Sequence, residues 1–173
     1  DIDGVLNWVG TQDRISGFIG LDPTRIERFN RIIDAHPDAC IVISSSWRLT
    51  GLFGAYEDFD GLVELLRSRG LKGEVIGKTP AKLSSTRGGE IRMWLEDFRD
   101  AMPDVKLTFV VLDDSTDGMA GWTNQGAVWA GRDDLGGNAL LAPRADEHDT
   151  STRHPGQVEV IYLNHRLGDA ADV

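Results

Sequence analysis

An α/β domain with a largely parallel sheet and helices on both faces is predicted by three observations. Unbroken apolar runs of β-branched type, such as ACIVI and KLTFVVL, recur along the chain, as buried parallel strands require. Amphipathic helical stretches alternate with them, which is the order that parallel crossovers need. Serines and aspartates stand directly after two of those runs, at the carboxyl ends of strands, where such sheets collect ligands.

The elements follow in order. DIDGVLN (1–7) fits the end of a strand, with a first strand expected upstream of residue 1. WVGTQDRISGFIG (8–20) is read as a flap. LDPTRIERFNRIIDAH reads as a helix with Asp22 as N-cap and Pro23 at its first position. Ile26, Phe29, Ile32 and Ile33 give it one apolar face, and Pro37 ends it. ACIVIS is a buried strand leading into Ser44, Ser45 and Ser46. DFDGLVELLRSRG is a second helix, apolar at Phe59, Leu62, Val63 and Leu66, with Gly70 as its stop. GEVIG is a short strand. EIRMWLEDFRDAM is a third helix, apolar at Ile91, Trp94, Leu95 and Phe98. KLTFVVLDD is a strand ending in Asp113 and Asp114. GAVWA and VEVIYL are read as further strands, and 131–156 as irregular. No repeat interrupts this order, so residues 1–173 are read as one domain.

The bulk numbers bound the partners. The chain has 173 residues, 40% hydrophobic and 27% charged, enough to bury a core of its own. A formal net charge of −10 repels nucleic-acid backbone and argues against a broad non-specific groove, though not against a basic spot that captures one phosphate. No apolar run is long enough for a membrane span. One cysteine, Cys40, excludes an internal disulfide. It suits a reducing compartment, so a cytoplasmic location is expected, and its apolar surroundings read as those of a buried structural thiol.

The acids carry the chemistry. Asp1, Asp3, Asp113 and Asp114 at one sheet edge would bring four carboxylates together, and like charges in one pocket repel. A hard divalent cation removes that repulsion, and magnesium with oxygen ligands and several waters fits best. One carboxylate can then attack phosphorus to give an aspartyl-phosphate. A second acid can protonate the leaving oxygen and later take a proton from water. A serine hydroxyl and a Lys or Arg would hold the phosphoryl oxygens.

DIDGV, SSSWR and VVLDD, in this order, resemble motifs I, II and IV of the haloacid dehalogenase (HAD) superfamily of phosphohydrolases. The wider set DIDGVLN, IVISSSWR, a TP followed by RGGEIRMWL, and VVLDD is similar to HAD domains of the Swiss-army-knife RNA repair proteins, over roughly residues 1 to 130. The resemblance implies a Rossmann-like three-layer sandwich with a mostly parallel central sheet. It implies Asp1 as nucleophile and metal ligand. Asp3 matches the general acid/base, with its main-chain carbonyl on magnesium. Ser45 matches the phosphoryl-binding hydroxyl, with Ser44 and Ser46 as rivals one residue either side. Asp113 and Asp114 match the magnesium-holding acids of motif IV. Arg87, opening the helix before motif IV, is chosen for the motif III cation, with Lys82 and Lys78 as candidates; Lys82 and Ser46 are also counted among the phosphate binders. Neither inter-motif stretch has room for a folded cap domain, and capless members resemble those that accept large substrates such as nucleic-acid ends.

Blander readings stand beside these. An Asp-x-Asp before glycine is by itself a turn signal. DDSTDG imitates a calcium loop, but its twelfth position is Asn124 rather than Glu and a strand precedes it, so that reading is rejected. Trp47 and Trp94 are read as core or cleft-wall packing rather than base-stacking platforms. Arg48 is left open between substrate contact and a structural ion pair. His36, His148, His154 and His165 lack metal-ligand spacing. The expectation is a magnesium-dependent phosphomonoester hydrolase, acting by resemblance on RNA or DNA ends. Two alternatives are a small-molecule phosphatase or nucleotidase, and a non-catalytic phosphate-binding module of a larger protein.

Overall fold

The computed structural model describes residues 1–49, 55–114 and, for the backbone, 157–163. The flap contains a two-residue hairpin, strands β1 (Arg14–Ile15) and β2 (Phe18–Ile19). Its central residues Ser16 and Gly17 both have positive φ (48° and 88°), the turn that matches strand twist. The base of the hairpin is closed by Gly20 N–H donating to the Asp13 carbonyl at 2.8 Å. The Asp13 carboxylate accepts from Leu21 N–H and from Arg69 Nε, each at 3.1 Å, which ties the flap to the end of the second helix.

Helix α1 (Pro23–Ala35) starts where its caps dictate: Asp22 Oδ1 accepts from the amides of Thr24 (2.9 Å) and Arg25 (3.1 Å). Ile26, Phe29 and Ile33 are its buried face. Strand β3 (Ala39–Ile43) follows, then a 3₁₀ turn at Ser46–Arg48. Helix α2 (Phe59–Ser68) is capped by Asp58, which accepts from Gly61 N–H at 2.8 Å, and ends before Gly70, whose φ is 91°. Strand β4 (Glu74–Lys78) leads to helix α3 (Arg87–Ala101), capped by Thr86. Strands β5 (Lys106–Leu112) and β6 (Gln157–Leu163) complete the described elements.

The four longer strands form one parallel sheet in the order β4-β3-β6-β5. β6 sets the level of both neighbours, because Ile43 and Leu112 each pair with Leu163. The residues that come next, Ser44 and Asp113, therefore leave the sheet at one edge. Alternation along the strands divides the core. Ala39, Ile41, Ile43 and Leu112 pack with α1 and α2, and also with Ile2 and Leu6. Val42 and Val111 pack with Ile91 and Leu95 of α3 on the opposite face. Helices thus cover both faces, which is the α/β arrangement the alternating pattern predicts.

Several details differ from the sequence reading. α3 begins at Arg87, as the choice of Arg87 for motif III had it, and three residues before the stretch read from its apolar face; Thr86 is its cap. The slot between β3 and β5, beside which DID ends, holds β6. The segment VEVIYL is indeed a strand, and its central position is a long-range pairing that no local pattern encodes. Cys40 is half-buried rather than buried; burial and then the charge of Glu74 push its thiol upward, so it stays protonated. GAVWA, 131–156, and the histidines at 148, 154 and 165 lie outside the described residues. Among the described residues no helix is long and apolar enough to cross a membrane.

The Asp13–Arg69 pair gives a testable pH dependence. Partial burial raises the Asp13 carboxyl, but the Arg69 hydrogen bond and the Leu21 amide outweigh it and hold it below its ordinary value. A folded value below the unfolded one contributes stability above about pH 4, and that contribution is lost as pH falls through the folded value. Asp13→Asn should lower stability at pH 7 by roughly 0.5–1 kcal/mol, since the pair is partly solvated. The gap in urea midpoint from the unaltered chain should close between pH 6 and pH 3; a gap that persists would assign the loss to the backbone bond instead.

Candidate active site

The loop that carries the opening acids is wound tightly against the sheet edge. Ile2 and Leu6 are fully buried and anchor it. Leu6 N–H closes a turn on the Ile2 carbonyl at 2.7 Å, and Arg25 of α1 reaches the Gly4 carbonyl with Nη1 at 2.8 Å. Asp1 is fully buried; its main-chain nitrogen donates to the Leu112 carbonyl at the end of β5. Ile2 N–H donates to Asp1 Oδ1 at 2.6 Å, which fixes the carboxylate orientation.

Carboxylate oxygens of Asp1, Asp113 and Asp114 all lie within 4.8 Å of one another. Asp114 Oδ1 is buried with no hydrogen-bond partner among the described residues. Three crowded anionic oxygens, with so little local donor capacity at Asp114, fit a hard oxygen-seeking cation such as magnesium. The fourth expected carboxylate is not in this group. Asp3 instead turns its carboxylate to Asn7 Nδ2 (2.5 Å) and to the indole Nε1 of Trp47 (2.9 Å). The expectation of four gathered carboxylates is therefore corrected to three plus one, because two neutral donors hold Asp3 aside.

Gly4 shows why the loop can lie so close to β5. Its φ is 77°, and a Cβ placed there would sit 2.3 Å from Asp114 Oδ2. Only glycine combines that backbone with that approach.

The SSSWR segment leaves the same sheet edge from the end of β3. Ser44 and Ser45 are fully buried and Ser46 nearly so. Ser45 Oγ accepts from Trp47 N–H at 3.3 Å and keeps its own proton to donate. Ser46 Oγ is buried without a partner among the described residues, as is Thr79 Oγ1 at the end of β4. Trp47 is more than packing. Its ring is buried while its Nε1 holds Asp3, and Tyr56 Oη donates to its carbonyl. Burial and then the charge of Asp3 push the Tyr56 phenol up to about 12, so it remains a donor at neutral pH.

Arg48 resolves as structural. All five of its N–H groups meet acceptors: Nε the Thr79 carbonyl (3.0 Å), Nη1 the Ser44 and Ser45 carbonyls (both 2.7 Å), and Nη2 the Pro80 carbonyl (3.3 Å) and Glu90 Oε2 (2.7 Å). Burial, and then the nearby charge of Arg87, bring it down to about 10, still protonated at pH 7. Arg87 donates from Nη1 to the same Glu90 oxygen at 2.8 Å. Burial lowers Arg87, while Glu90 and Asp113 favour its charged form. Of the three motif III candidates, Arg87 is thus the one whose charge couples to the acidic cluster. Lys82 is exposed and contributes its backbone N–H to Glu90 Oε1 (3.2 Å), and Lys78 lies over the Phe59 ring at 4.9 Å.

Sequence reasoning passed over Asn7, Tyr56 and Glu90. Asn7 and Glu90 sit inside the motif-bearing segments, and the one visible signal was for Glu90, an acid directly before Ile91 on the apolar face of a helix. Gly4→Ala should cost about 1–3 kcal/mol, the usual range for a side chain forced into left-handed backbone. A urea midpoint unchanged from the unaltered chain would mean that Asp114 yields freely.

The family described as "HAD domain in Swiss Army Knife RNA repair proteins" matches residues 1–131, a span that holds every residue of the site above. Neither the curated proteins nor the solved structures give a match. With its acids, serines and Arg87 all inside that span, the chain belongs to the family of HAD domains found in Swiss Army Knife RNA repair proteins.

Proposed function

We propose that this chain is a magnesium-dependent phosphomonoester hydrolase working through an aspartyl-phosphate. The observation that carries the reading is the convergence of Asp1, Asp113 and Asp114 at one end of a parallel sheet, with Asp3 held beside them by Trp47 and Asn7. Asp1, Asp113 and Asp114, with the Asp3 carbonyl, would hold the magnesium. The ion supplies charge neutralisation for the carboxylates and the phosphoryl group.

The chain's own residues divide the remaining work. The Asp1 carboxylate forms a bond to phosphorus as the P–O bond to the leaving group breaks. Asp3, protonated, gives its proton to that leaving oxygen. It then takes a proton from the water that attacks the aspartyl-phosphate, which releases inorganic phosphate and restores Asp1. Indole and amide donors on Asp3 orient its carboxyl for both transfers. The Ser45 and Ser46 hydroxyls and the Arg87 guanidinium bind phosphoryl oxygens, with Lys82 as an outer cation.

The architecture fits a capless, Rossmann-like member: a short flap and one helix occupy the stretch between Asp3 and β3. A capless member suits a large substrate, and the family's description names RNA repair proteins. We therefore favour a terminal phosphate on RNA or DNA. The net charge of −10 favours a second reading, a small-molecule phosphatase or nucleotidase. Phosphate release from a 3′-phosphorylated oligonucleotide, set against release from mononucleotides, separates the two. A cytoplasmic setting suits either.

Asp1→Asn should abolish magnesium-dependent phosphate release, and full activity in that variant sinks the mechanism. Asp3→Asn should slow turnover by roughly 10²–10⁴-fold, the usual contribution of a general acid/base. Magnesium should raise the melting temperature of the unaltered chain but not of Asp113→Asn or Asp114→Asn. An equal rise in those variants would place the ion elsewhere.

A further inference from the structure

Glu90 is an acid that the phosphatase chemistry does not use, yet it is among the most buried charged residues described, at 6% exposed. Its carboxylate accepts four hydrogen bonds. Oε2 takes Arg48 Nη2 at 2.7 Å and Arg87 Nη1 at 2.8 Å; Oε1 takes Ser85 Oγ at 3.0 Å and Lys82 N–H at 3.2 Å. It lies in the first turn of α3, where the helix dipole favours a negative charge. We propose that Glu90 is a positioning residue that sets the phosphoryl-binding arginine, Arg87, and the serine loop as one unit. The proposal rests on the phosphatase reading above and deepens it.

The two arginines on Glu90 differ in what they can do. Arg48 has its five N–H groups on protein acceptors and is 3% exposed, so no donor remains for a substrate. Through it Glu90 is connected to the carbonyls of Ser44 and Ser45, hence to the loop whose hydroxyls face the phosphoryl group in the proposed mechanism. Arg87 is the more accessible, its side chain 16% exposed, and its charge couples to Asp113. A long arginine side chain has many rotamers, and a carboxylate at its tip removes that freedom before substrate arrives. Two guanidinium charges against one carboxylate also leave the cluster positive. Glu90 therefore orients Arg87 without cancelling its attraction for a phosphoryl oxygen.

A purely structural role for Glu90, as counter-ion to Arg48, makes a different forecast. Glu90→Gln keeps the size and one accepting oxygen. If Glu90 acts through Arg87, this variant should lose about 10–100-fold in kcat/KM on p-nitrophenyl phosphate with magnesium, chiefly through KM. In an Arg87→Ala background the same change should cost at least about threefold less, because only its effect through the serine loop remains, the non-additivity of coupled residues. Equal losses in both backgrounds overturn the proposal.

A second measurement does not depend on turnover. The Arg87 Nε–H signal in a ¹⁵N spectrum, assigned with Arg87→Lys, should exchange with water about tenfold faster in Glu90→Gln, as released side chains do. Unchanged exchange overturns the proposal whether or not the chain is a phosphatase. If Glu90→Gln does not fold, Glu90→Asp is read by the same criterion, its shorter stem withdrawing the carboxylate from Arg87. No phosphate release from the unaltered chain sinks the phosphatase reading alone, and the exchange measurement still decides the role of Glu90.

Discussion

Three carboxylates cannot share one end of a sheet unless something offsets their repulsion, and much of the neighbouring architecture is arranged around that constraint. Asp1 has its carboxylate fixed by the next amide, and Asp114 lies against a glycine because no side chain fits there. Arg87 stands near enough for its charge to be felt by Asp113. The fourth acid is kept out of the crowd by an indole and an amide. The same segment therefore contains one acid inside the carboxylate cluster and one held outside it, two residues apart. Their different placement follows from different partners rather than from distance along the chain.

Arg48 and Glu90 show how loops from three elements are kept in register. The end of β3, the end of β4 and the first turn of α3 meet on one guanidinium. Breaking such a buried pair leaves an uncompensated charge, so the arrangement holds as a whole or not at all. The serine loop is thereby tied at two of its carbonyls, although it lies outside any regular strand or helix apart from one 3₁₀ turn.

What the sequence made legible was local. The Asp22-Pro23 helix start, the apolar faces of α1 and α2, and the strands ending in serines and aspartates are each written in neighbouring residues. The acids at the sheet edge were readable because parallel strands place their carboxyl ends together. What stayed hidden was contact between distant residues. Nothing near Trp47 announces that its indole holds Asp3, and nothing near Arg48 says which carbonyls it will meet. Glu90 was read as the start of a helix, but nothing beside it announces the two arginines and the Ser85 hydroxyl that its carboxylate meets. The position of β6 was hidden for the same reason: VEVIYL reads as a strand, but its slot is set by two partners far away.

That slot has a consequence for how the domain assembles. β3 and β5 make no ladder with each other; both bond to β6, with Ile43 and Leu112 meeting at Leu163. Until that late segment docks, each of them presents an open edge. Closing so long a loop is entropically slow, and open edges of apolar strands invite pairing with other chains. The sheet therefore joins the serine segment after β3 and the aspartates after β5 only through β6, so the level of these two groups relative to each other depends on a strand that follows both in the sequence.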